Sequence, residues 1–179
     1  MRLRPLAAAK KEGGNIMEME DVHRFRVTAW RASGRTGIAQ SSSSPNVIHF
    51  AAPPAFGGLD GRWSPADLLL CAIASCYTTT FEALAEKSKF PYTDLQVEVE
   101  GEVAHTDAGY SLREIVMRAT LTLPREAERA TALLQKAHTL CLVSRALSVA
   151  PKFEASVHIG ELSLEVAHAV PVSSKEFCR

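Results

Sequence analysis

"SPADLLLCAIASCYTTTF", residues 64–81, opens on a serine–proline pair and carries no charge from Leu68 to Phe81. Ser64 as N-cap, Pro65 at the first helical position and Asp67 in the first turn form a helix-start signature. The serine oxygen satisfies a free backbone N–H, proline fixes φ, and the carboxylate faces the positive end of the macrodipole. The helix is predicted to run to about Lys89, because Pro91 disfavours helical geometry just before it. A helix apolar nearly all round for four turns must be covered on most sides. The strands of one chain supply too little cover, so a dimer sharing its core is expected; a single sheet on one side with loops on the other is the alternative. Cys71 and Cys76 lie five residues apart, about 140° around the helix, so at most one faces a shared site. Cys71 is assigned to packing, while periodicity alone leaves Cys76 undecided.

Around this helix the sequence alternates. "HRFRVTAW" (23–30) sets Phe25, Val27 and Ala29 on one side, "SGRTG" supplies a turn and "NVIHFAA" (46–52) a second short strand, with "SSSSP" as a flexible connection. "DLQVEVEGEVA" and "SLREIVMRATLTLP" read as an antiparallel pair joined by the turn-rich "HTDAG". "REAERATALLQKAHTL" is a second amphipathic helix and "VSRALS" a short helical segment; "FEASVHI" and "ELSLEVA" form a closing strand pair. The fold class is therefore α+β, a long apolar central helix against antiparallel sheet. One domain is expected over residues 21–170, with a flexible segment at 1–20 and a tail at 171–179 containing Cys178.

Composition narrows the function classes. The 179 residues, 46% hydrophobic, carry 20 basic and 20 acidic side chains, which gives no electrostatic reason to expect nucleic acid or an anionic membrane as partner. Lys10, Lys11 and Glu12 interrupt the amino-terminal segment before an h-region forms, and the uncharged window 68–81 is shorter than the ~20 residues of a spanning helix. Four cysteines without a Cys-x-x-Cys pair or a Cys/His cluster argue against a disulfide scaffold or zinc site and for thiols in a reducing, cytoplasmic compartment. No metal or cofactor is expected.

A second segment separates the helix cysteines. "GRWSPADLLLCAIASCYTTTF", "AHTLCLVSRALS" and the upstream "TAWRASGRTG" together resemble the OsmC/Ohr family of bacterial thiol-dependent hydroperoxide reductases. In that family the central helix opens P-E-x-L-L and carries the peroxidatic cysteine ten residues after the glutamate, matched by Pro65, Leu68, Leu69 and Cys76; the second cysteine opens C-P-[VI]-S-x-A-L, matched by Cys141, Val143, Ser144, Ala146 and Leu147. The resemblance covers roughly residues 22–159. It implies an intertwined homodimer, each long helix packing against sheet from both chains, and a site where Cys76 attacks an organic hydroperoxide and Cys141 resolves the product. It also implies that Arg35 of "SGRTG" supplies the cation favouring the thiolate, with Arg31 the competing residue, and that a dithiol, on a lipoylated or thioredoxin-like protein, restores the thiols.

Two departures stand out. Ala66 occupies the position of the glutamate that orients the family's arginine, which leaves Asp67, one residue on and about 100° around the helix, as the candidate carboxylate. Leu142 replaces the proline of the second motif. Two other functions compete: a non-catalytic stress protein of the same fold binding an apolar ligand in the dimer cleft, and a cysteine hydrolase using Cys141 with His138. His138 itself is expected to be a satisfied packing residue, and the hydrolase lacks a visible oxyanion hole and orienting acid.

Overall fold

The computed structural model describes residues 22–125 and 128–160. The expected segment 1–20, the strand "ELSLEVA", the tail 171–179 and Cys178 lie outside the described residues.

The first three strands form an antiparallel meander. β1 (Val27–Arg31) pairs with β2 (Thr36–Ser41), and β2 with β3 (Val47–Ala51), so that Ile38 stands between Trp30 and His49. The turn at "SGRTG" forms as expected: Thr36 N–H donates to Ser33 O at 3.0 Å and Gly34 takes a positive φ of 51°. β2 itself was not anticipated. Thr-Gly-Ile-Ala-Gln-Ser holds only two β-branched residues and no sustained alternation, and neighbouring strands on both edges, rather than propensity, make it a strand. A 3₁₀ turn at Pro54–Phe56 and a bridge between Phe50 and Trp63 lead into the long helix.

That helix, α1 (Pro65–Ser88), starts as its sequence dictates. Ser64 Oγ accepts from Asp67 N–H at 3.1 Å and Asp67 Oδ2 accepts from Ser64 N–H at 2.7 Å, a reciprocal capping box. It ends on Lys89 in the left-handed conformation, φ 49°, whose N–H returns to Ala85 O and Glu86 O. Its buried stripe, Ile73, Tyr77, Phe81 and Ala85, repeats every four residues and faces the second sheet.

The second sheet has the order β4–β5–β6: β4 (Asp94–Thr106), β5 (Gly109–Leu123) and β6 (Lys152–Ile159). β4 and β5 are antiparallel with a register shift at Glu102/Val103. Alternate residues of β5, Ile115, Met117, Ala119, Leu121 and Leu123, point into the core beneath α1 and α2 (Ala130–Leu140). At Gly101 a Cβ would sit 3.1 Å from Leu70 Cδ2 and 3.2 Å from Leu112 Cδ1, so glycine lets α1 close onto β4. On the outer face Arg118 reaches Glu100 at 2.5 Å and Glu154 at 3.0 Å, tying the three strands together.

β6, expected as a strand, runs parallel to β5, Val116 opposite Lys152 through Leu123 opposite Ile159, so the second sheet is mixed where antiparallel sheet was expected. The helices α2 and α3 (Leu142–Arg145) form the crossover that a parallel pairing requires, returning the chain to the same end of the sheet.

One chain leaves much apolar surface open. Val27, Trp30, Val47 and Ile48 of the first sheet are exposed, as is the α1 face carrying Cys71, Ser75, Thr78 and Thr79. α1 is long and apolar enough in composition to cross a bilayer. Its buried stripe on β4–β5 and α2 instead makes it the core helix of this fold.

Candidate functional site

Two of the four expected site residues come together. Cys76, partly buried on α1, accepts a hydrogen bond at its Sγ from Val143 N–H at 3.5 Å. Cys141, fully buried, is two residues earlier, at the junction of α2 and α3. The junction is a sharp turn: Cys141 has φ −59° and ψ 110°, closes α2 through its N–H to His138 O at 3.3 Å, and opens α3 by accepting Arg145 N–H at 3.1 Å. The first N–H groups of a helix have no partner inside it, and one of these is turned on the sulfur of α1. The Cys141 sulfur accepts from Ser144 Oγ at 3.2 Å.

The lining is aromatic and largely buried. Tyr77 is fully buried, donates to Leu134 O at 3.1 Å, and has its phenol pushed well above the ordinary range by burial and then by the neighbouring Cys141. His138 stacks on Phe153 with ring centroids 4.6 Å apart and planes 4° from parallel, and burial lowers its pKa. Its Nδ1 is buried without a hydrogen-bond partner, which overturns the expectation of a satisfied histidine. The ring lies flat on Phe153, and among the described residues no hydrogen bond joins it to the Cys141 thiol.

Arg35 and Asp67 are placed elsewhere. Arg35 is exposed on the β1–β2 turn, and its Nη1 donates to Phe56 O; the Phe56 ring packs edge-on against Tyr110 at the β4–β5 hairpin tip. The Asp67 carboxylate is taken up by the capping box at Ser64. Among the described residues no ion pair joins the two.

Cys71 is also a correction. It is exposed rather than packed, and together with Trp63, Asp67, Leu70, Ala74 and Val99 it lines an open cleft of about 580 Å³. The helix geometry that separates Cys71 from Cys76 puts it on the face that a single chain leaves uncovered. Sequence reasoning matched Val143 and Ser144 to a motif but gave neither a role; Tyr77 was visible only as an apolar helix position.

The chain is similar to known proteins in sequence and in fold. The family model for OsmC-like protein matches residues 58–156. A Bacillus subtilis (strain 168) protein, the uncharacterized protein YmaD, is 30% identical over 145 residues, covering 77% of this chain and 97% of the relative. Among solved structures, an organic hydroperoxide resistance protein from Elizabethkingia anophelis superposes with a TM-score of 0.64 at 21% identity, covering 79% of this chain and all of the other. An OsmC-like protein of unknown function from Vibrio cholerae superposes with a TM-score of 0.66 at 14% identity, covering 75% of this chain and 99% of its own. At these identities the two superpositions speak for the fold.

Proposed function

The chain belongs to the OsmC-like protein family, and from that premise we propose that it reduces organic hydroperoxides through Cys76 and resolves the product with Cys141. The observation that carries this reading is the bond from Val143 N–H to Cys76 Sγ, which sets the α1 thiol against the turn that begins at Cys141. The Cys76 thiolate takes an oxygen from R–O–O–H; the O–O bond breaks, the alkoxide takes a proton to leave as alcohol, and Cys76 is left as sulfenic acid. The Cys141 thiol then forms the S–S bond as the S–O bond breaks and water leaves. A dithiol of a lipoylated or thioredoxin-like protein reduces the disulfide and is itself oxidised to one. No cofactor enters these steps.

Arg35 supplies the positive charge to Cys76 once it gives up Phe56 O. Asp67 is less suited to orient it, because its carboxylate holds the helix cap. The working form is a homodimer whose second copy covers the exposed face of α1. A reducing cytoplasm is the compartment that keeps these thiols ready. Organic peroxides are favoured because the surroundings of Cys76 are apolar: Tyr77, Leu69, Val143 and Phe153 belong to or pack against the same core.

The test is one equivalent of cumene hydroperoxide followed by non-reducing mass spectrometry. A Cys76–Cys141 disulfide is expected, lost in Cys76→Ser and replaced in Cys141→Ser by sulfenic or overoxidised Cys76. The open cleft beside Trp63 and Cys71 favours a second reading, a non-catalytic protein that binds an apolar ligand. Unchanged thiols at Cys76 and Cys141 after peroxide would select it.

A further inference from the structure

The serine and threonine hydroxyls on α1 behave in one way. Ser75, Thr78, Thr79 and Ser88 each return their hydroxyl to the carbonyl one turn back, at 2.7–3.0 Å, the ordinary resort of such side chains inside a helix. Ser144 behaves differently. It is buried, 6% exposed, and donates to a sulfur, Cys141 Sγ, at 3.2 Å. The only other buried serine among the described residues, Ser64, is accounted for by the cap of α1.

Among the described residues no other group gives Cys141 Sγ a hydrogen bond. From α1, Tyr77 faces it but spends its hydroxyl on Leu134 O. From α2, His138 lies stacked on Phe153 of β6. From the same turn as Ser144, Val143 N–H is directed to Cys76. Consecutive residues of α3 therefore grip one sulfur each, a backbone donor for Cys76 and a side-chain donor for Cys141.

Resting on the reading of Cys141 as the resolving thiol, we propose that Ser144 is a positioning residue that fixes the Cys141 sulfur for attack on Cys76. A cysteine side chain has three staggered χ1 wells, and the hydroxyl bond selects one of them. The step served is formation of the Cys141–Cys76 bond, in which the group already on Cys76 leaves with its bonding electrons and takes up the thiol proton. Losing that preset geometry should slow the internal attack by about tenfold while leaving chemistry at Cys76 alone.

The experiment uses the full chain with Cys71→Ser and Cys178→Ser, so that Cys76 and Cys141 are the remaining thiols. 2,2′-Dithiodipyridine converts Cys76 to its thiopyridyl disulfide, releasing one pyridine-2-thione; attack by Cys141 then releases the second. Ser144→Ala is expected to slow the second release about tenfold and to leave the first unchanged. An unchanged second release overturns the proposal. So does an equal slowing of both releases, which would mean general loosening of the turn. Because the assay contains no peroxide, a parent chain that releases both chromophores but never consumes cumene hydroperoxide sinks the peroxidase reading and leaves the role of Ser144 standing.

Discussion

At the residue scale, no carboxylate among the described residues pairs with Arg35, the cation of the proposed site. Asp67 sits at the third helical position, where its side chain reaches back to Ser64 N–H, whereas Ala66 is exposed one position earlier. Ala66→Glu places a carboxylate on the adjoining face without disturbing the cap, in a first turn that favours negative charge. Stopped-flow oxidation of Cys76 should then speed up five- to thirtyfold, equivalent to about 1–2 kcal/mol of transition-state stabilisation from an ordered guanidinium. The gain should vanish in an Arg35→Ala background. His138 carries a second prediction. Its pKa in the folded chain lies below the ordinary 6.5 because burial disfavours the imidazolium. Between that depressed value and 6.5 the unfolded chain binds a proton that the folded chain refuses, so stability falls as pH drops through the window. His138→Phe keeps the stack on Phe153 and removes the orphaned Nδ1. Urea unfolding should show a gain of about 1 kcal/mol near neutral pH and a flatter acid limb. That residues 76 and 141 come to lie close together was expected from the two motifs that flank them. The orphaned Nδ1 was not, since it depends on which ring comes to lie on His138.

At the scale of elements, those with local signals were readable. Ser64, Pro65 and Asp67 announce the start of α1, and the alternation of β5 announces its buried face. β2 escaped because its identity comes from β1 and β3, and the parallel setting of β6 escaped because strand direction is decided by a crossover of nearly thirty residues. The junction of α2 and α3 allows a prediction of its own. Leu142 is 68% exposed at the first position of α3, and Cys141 before it already has the extended geometry that a following proline demands. Leu142 N–H makes no hydrogen bond among the described residues. Leu142→Pro should therefore raise stability by about 0.4–1 kcal/mol, chiefly by restricting the unfolded chain. A lower melting temperature would show that the turn depends on leucine.

At the scale of the whole molecule, the imbalance between the two faces of α1 governs behaviour in solution. One face is sealed by the second sheet and α2, while the other lies open beside a first sheet whose Trp30, Val47 and Ile48 are bare. Leaving such surface in water costs about 25 cal/mol per Å². The chain should sediment as a dimer that dilution separates only with unfolding; a folded monomer at low micromolar concentration would refute the shared core. The excess of apolar helix was plain in the sequence, but the partner of each surface was not, because periodicity says that a face is covered and never by what. The order in which the chain is made gives the crossover a further meaning. Cys76 leaves the ribosome 65 residues ahead of Cys141, and the turn at Cys141 can reach α1 only after it has been made. Such long-range pairing is slow compared with helix formation. If Cys76 and Cys141 act as proposed, a nascent chain carries its attacking thiol for some seconds of synthesis with no resolving partner. Peroxide met in that interval would drive Cys76 on to sulfinic acid, so newly made molecules would be the ones lost first under oxidative stress.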